Sequence, residues 1–133
     1  MKKLLNIVLF MFCLCFIQNT YAVKISLKEL AKQYNQNTAT ANKKYLNKKV
    51  SFNCKVNEVK TTIFRQTYVE ALINKDEYDT YFVRIFPRDR YVKKAKSLRK
   101  GQKIRVIGIC KGRTLKGDLS IKECKILTKK RKR

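Results

Sequence analysis

The chain has 133 residues, with 33 lysines and arginines against 9 acidic residues and no histidine. That length suits one small domain, and the missing imidazole excludes Ser–His and Cys–His nucleophile pairs together with the commonest metal ligand. A formal net charge of +24 points instead toward association with something anionic.

Residues 1–22 place Lys2 and Lys3 ahead of an apolar run from Leu4 to Ile17 and end in Thr20, Tyr21 and Ala22. This is the layout of a secretory signal peptide cleaved near Ala22. The competing reading, an uncleaved anchor, is disfavoured because that run falls short of the roughly 20 residues a spanning helix needs. Cys13 and Cys15 lack the preceding small residues of a lipoprotein signal. Loss of the leader removes Lys2 and Lys3 and no carboxylate, so +24 falls to +22. The expected location is the periplasm or the medium, where Cys54, Cys110 and Cys124 meet an oxidising environment.

After the leader, Ser26 and Glu29 form a capping box that starts a helix. Leu27, Leu30, Ala31 and Tyr34, extended by Ala41 and Tyr45, give it one apolar stripe. The pattern predicts a single helix to about Leu46, weakest over residues 35–40, with a lysine-rich face that reads as solvated. Val50, Phe52, Cys54 and Val56 then alternate with polar residues as a half-buried strand, and the phase slip at Val59 signals a bulge. A loop with Phe64 and Arg65 at its tip leads to a strand over residues 68–73. Residues 74–80, holding Asp76, Glu77 and Asp79, read as a solvated hairpin loop, and residues 81–86 make the next strand. Pro87 ends that strand and suits the first turn of a second helix. Its face is Tyr91, Val92, Ala95 and Leu98, with Gly101 as the C-terminal cap.

The strongest strand signal covers residues 104–110, followed by turn chemistry at Lys116, Gly117 and Asp118 and a partner strand from Leu119 to Leu127. A hairpin turning at Gly117 sets Cys110 opposite Cys124 at a separation that a disulfide spans. Closing that loop stabilises by about 3 kcal/mol on the chain-entropy argument. Cys54 then reads as a small buried residue, with a Cys54–Cys110 bridge as the alternative. Lys129 to Arg133 form a basic tail expected to be disordered.

These elements predict a signal peptide over 1–22, one domain over 23–128 and the tail over 129–133. The fold class is all-β with added helices: a five-stranded OB-fold Greek-key barrel, with an N-terminal helix and another between strands three and four. From about Leu30 to Leu127 the sequence resembles the secreted bacterial OB-fold family called tRNA_anti-like. The resemblance lies in Tyr34, Asn37 and Ala41 before Tyr45, in Lys48-Lys49-Val50, in Phe86-Pro87, in residues 98–104, in Cys110-Lys111-Gly112 and in Cys124. Cys54 stands where the family usually has glycine, and the basic charge is unusually high. The resemblance implies a fold and an exported compartment; it implies no reaction, and no tRNA role follows for an exported protein.

OB barrels bind extended polymers across strands two and three and the loops flanking them. On the expected phases that face carries Tyr68, Phe82, Arg84 and Phe86, with Phe64 and Arg65 on one loop and Lys111, Arg113 and Lys116 on the other. Aromatic rings interleaved with cations suit single-stranded nucleic acid, the rings stacking on bases and the cations replacing counterions on phosphates. Alternating aromatics also serve as ordinary packing, so each ring has a structural reading beside the binding one. The expected activity is non-enzymatic binding of an anionic polymer, with no catalytic residue, cofactor or metal. The partner is nucleic acid or an envelope polymer, and the basic tail adds the prospect of membrane-surface contact. The alternative is a protein-interaction or assembly module of the envelope. A nuclease, for which OB topology alone is weak support, would need acidic groups set beside arginines, and no such set is visible.

Overall fold

The computed structural model describes Lys3 and residues 21–76, 79–114 and 117–129. Glu77, Lys116, residues 130–133 of the basic tail and, apart from Lys3, Tyr21 and Ala22, the expected leader lie outside the described residues. Among the described residues no helix is long and apolar enough to cross a membrane.

Six strands and three helices follow in the order β1 (Val23–Lys24), α1 (Leu27–Gln36), α2 (Thr38–Tyr45), β2 (Lys49–Thr61), β3 (Thr67–Asp76), β4 (Asp79–Pro87), α3 (Asp89–Lys96), β5 (Lys103–Arg113) and β6 (Leu119–Thr128). The sheet runs β1-β2-β3-β4-β6-β5, and the first half of β2 also pairs with β5. That last pairing closes β2 to β6 into a five-stranded barrel, with β4 and β6 parallel and the short β1 added parallel to β2. This is the OB architecture expected from the order of elements. Its interior is aliphatic: Val50, Val69, Ala71, Val83, Ile85, Val106, Ile121 and Ile126 are fully buried. Each large member of such a set stabilises by roughly 1.5–3 kcal/mol.

The long β2 serves two neighbours in turn, and a register shift between Val56 and Glu58 is what lets it pass from β5 to β3. The bulge expected near Val59 is therefore real and sits slightly earlier. The N-terminal helix is two helices. Asn37 leaves the helical region at φ −162° and ψ 102°, and its side chain accepts from the Thr40 amide to start α2. Asparagine is among the best N-cap residues, which explains why the predicted weak centre became a break. Gly112 makes docking of this pair possible: a Cβ there would lie 3.1 Å from Asn42 Oδ1 and 3.3 Å from Leu46 Cδ1.

Three further expectations need correction. Residues 74–76 and 79–80 belong to the strands, with Asp76 paired with Asp79, so the expected loop over 74–80 is largely strand. Pro87 is the last residue of β4, and Arg88 holds the N-cap position of α3. Gly101 lies beyond the helix end at Ser97, at φ +84°, where its amide donates to Val56 O at 2.7 Å.

The expected Cys110–Cys124 disulfide is absent, as is the Cys54–Cys110 alternative: Cys54, Cys110 and Cys124 are free thiols. Register is the reason. Shifts between Ile107 and Ile109 and between Cys110 and Arg113 bring Cys110 opposite Ile121. Cys110 Sγ meets the Tyr34 hydroxyl at 3.6 Å, while Cys124 Sγ donates to Ile121 O at 3.3 Å. Cys124 also fills the space over Gly108, where a Cβ would stand 2.6 Å from its sulfur. Burial raises the thiol pKa of Cys124 and pushes that of Cys54 up to about 12.

Candidate functional site

Strand alternation divides β3 and β4 into two faces. Val69, Ala71, Val83 and Ile85 point into the barrel, so Tyr68, Glu70 and Leu72 share the outer face with Phe82, Arg84 and Phe86. Register sets Glu70 across from Arg84 and Leu72 across from Phe82.

The centre of this outer face is an aromatic pair under cations. The Tyr68 and Phe86 rings lie 5.4 Å apart at 36°. Arg84 Cζ stands 5.5 Å from the Tyr68 centroid, and Lys122 Nζ on β6 stands 5.8 Å from that of Phe86. Such stacking is worth about 0.5–1 kcal/mol where exposed. Tyr68 is thereby only 8 % exposed although it is outside the main core cluster. Arg84 is further held by Asp118 at 3.3 Å, while its buried Nε has no hydrogen-bond partner among the described residues.

Glu70 on this face is buried. Asn57 Nδ2 donates to one carboxylate oxygen at 3.1 Å and Lys60 Nζ to the other at 3.2 Å. The hydrogen bond and charge of Glu70 raise the pKa of the Lys60 ammonium. The carboxylate is thus committed to a structural pair.

Two turns bound the face. At one end, residues 62–66 close the β2–β3 hairpin: Thr62 and Arg65 form a backbone hydrogen bond of 2.9 Å, and Arg65 sits at φ +60°. This projects Ile63 and Phe64, which are 91 % and 85 % exposed. At the other end the β5–β6 turn is fixed by Thr114 N to Asp118 O at 2.8 Å and by Arg113 Nε donating to Gly117 O at 2.9 Å. Through Asp118 this turn holds Arg84.

The structure therefore brings Tyr68, Phe82 and Arg84 onto one surface, with Phe64 and Arg65 at its edge and Arg113 in the opposite turn. It does not bring Lys111 there, because Lys111 Nζ donates to Asn47 Oδ1 at 2.9 Å, where α2 leads into β2. Lys116 lies outside the described residues. Glu70, Lys60, Lys122 and Ile63 were not singled out from sequence, and Asp118 was read only as turn chemistry. The alternation placed Glu70 outward, but nothing in the linear order shows that β6 packs parallel beside β4 and carries Lys122 to Phe86. Among the described residues no group of three His, Cys, Asp or Glu side chains is arranged to hold a metal.

The tRNA_anti-like family model matches residues 2–125. The chain belongs to that family. Solved structures share the barrel of this tRNA_anti-like protein at low identity. One is a Klebsiella pneumoniae lipoprotein proposed to bind nucleic acid, similar at 13 % identity with a TM-score of 0.60, covering 80 % of this chain and 92 % of that one. Another is a protein of Leishmania major proposed to be an aspartyl-tRNA synthetase, at 10 % identity and a TM-score of 0.50. There the match covers 84 % of this chain and 22 % of the other, the extent of one domain within a longer protein. No curated protein matches the sequence.

Proposed function

We propose that this tRNA_anti-like protein is an exported, non-enzymatic OB-fold module that binds single-stranded nucleic acid across the outer face of β3 and β4. The observation that carries the reading is the Tyr68–Phe86 pair overlaid by Arg84 and Lys122 and bounded by the exposed Phe64 tip. Bases stack on Phe64 and on the partly exposed rings of Phe82 and Phe86, while Arg65, Arg84, Arg113 and Lys122 meet phosphates. Stacking contributes about 1–3 kcal/mol per base and tolerates any sequence. The likeness to a lipoprotein proposed to bind nucleic acid supports the same reading. The Lys2-Lys3 and Leu4 to Ile17 leader pattern supports the exported part of this reading.

Fluorescence anisotropy with oligo(dT) of about 12 nucleotides tests it, a length within the range one OB fold spans. Binding is expected to weaken with salt at about 0.7 log units per phosphate contact, and Phe82→Ala with Arg84→Ala should reduce affinity without unfolding. Salt-independent affinity would exclude the reading. The adjacent exposed Ile63 and Phe64 favour one second reading, a protein contact within the envelope. A crosslinked partner retained after nuclease treatment, together with no oligonucleotide binding, would select it.

A further inference from the structure

The wall of the barrel opposite the β3–β4 face carries a second basic surface. In the closed order β2-β3-β4-β6-β5, the strand facing the β3–β4 seam across the barrel is β5. Over the first residues of β5, between β2 and the end of β6, lies an open basin of about 670 Å³ whose lining includes Lys55, Lys103, Arg105 and Lys129. A neighbouring basin of about 430 Å³ shares Asn53 and Arg105 with it and continues to Lys24. All five of these cations are exposed, and among the described residues no carboxylate lines either basin. Leu127 supplies an exposed apolar side chain between these cations, while Cys54 and Ile104, paired across the ladder, turn inward against the core.

Two details show more than a generally basic surface. Lys55 and Lys103 are directly paired across the β2–β5 ladder, and like charges in that relation destabilise a sheet. Arg105, paired with Asn53 two positions along the ladder, donates from Nε to Ser51 Oγ at 3.3 Å, which fixes the guanidinium beside them. The fold thus holds repelling cations together along a groove, a cost that a bound polyanion offsets.

We propose that this groove is a second track for single-stranded nucleic acid, so that one domain holds two strands on opposite walls and bridges them. Phosphates meet Lys55, Lys103, Arg105 and Lys129, and the sugars and bases pass over Leu127. Two open concavities that share Asn53 and Arg105 and carry cations from Lys24 to Lys129 fit a polymer strand better than a flat bilayer surface. The proposal rests on the β3–β4 face being the first track.

Native mass spectrometry of the domain with oligo(dT) of about 12 nucleotides tests it. Complexes of one chain with one strand and with two strands are expected. The triple variant Lys55→Gln, Lys103→Gln, Arg105→Gln should keep the first strand and bind the second at least tenfold more weakly. Its melting temperature should be unchanged or raised, because the like-charge pair is gone. A complex with two strands that survives the substitutions, or a wild-type protein that stops at one strand, overturns this proposal and leaves the first track intact. Absence of any complex overturns both readings. Loss of binding to phosphatidylglycerol vesicles in the triple variant, with both oligonucleotides retained, would assign the groove to lipid.

Discussion

Tyr68 shows how a residue's neighbours change its meaning. Its position on the outer face makes it a candidate stacking platform, yet Arg84 lies over the ring and leaves it 8 % exposed. Phe64, at 85 % exposed, is the better platform. Replacing Phe64 by Ala should cost about 1–3 kcal/mol of oligonucleotide affinity and, as an exposed position, change stability by no more than about 0.5 kcal/mol. Arg84→Ala differs, since it removes both the cation over Tyr68 and the partner of Asp118. A stability loss of about 1 kcal/mol is expected in denaturant unfolding, together with weaker binding. An intact fold after Phe64→Ala with unchanged affinity would remove the tip from the interface. The thiols are testable as well: Cys110 and Cys124 are buried and free, so both should resist a thiol reagent in the native protein and react once it is denatured without reductant.

At the scale of elements, the β5–β6 hairpin was legible in its strands and its turn, and illegible in its register. Branched apolar residues and Gly117 announce the hairpin, but the two register shifts along it depend on how Cys124 fits against Gly108 inside the barrel. A three-dimensional fit of that kind leaves no periodic trace. The Asn37 break had a local signal, its capping preference, that the surrounding helical stripe obscured. Asn37→Ala should therefore cost about 1 kcal/mol through loss of the bond to the Thr40 amide. Gly108→Ala tests the register itself. The added Cβ would meet Cys124 Sγ at 2.6 Å and Ile121 Cγ2 at 2.8 Å, so a loss of about 1–3 kcal/mol is expected. Adding Cys124→Ala should restore part of it, a coupling that a double-mutant cycle reads directly.

For the whole molecule, charge and buried acids set the response to solution conditions. Cys54 keeps its proton up to about pH 12 in the fold, against 9.0 for an ordinary thiol. The unfolded chain therefore releases that proton first as pH rises. Its stabilising contribution is complete below about pH 9 and is lost on approaching 12, with Cys124 and Tyr34 shifted in the same direction. Melting temperature should fall above about pH 9, and Cys54→Ala should lessen the fall. At this scale the sequence displayed the barrel and its basic excess plainly, since both are sums over many residues. It did not display how the cations divide between the two walls, because that follows from which strands the closure of β2 onto β5 sets opposite one another.

The most direct test of the central claim is the affinity of the domain for oligo(dT) across a salt series, measured by anisotropy for the wild type and Phe64→Ala. Several phosphate contacts at about 0.7 log units each predict a steep log–log decline for both proteins, with the variant uniformly weaker. A flat salt response, or coincident curves for the two proteins, would contradict it.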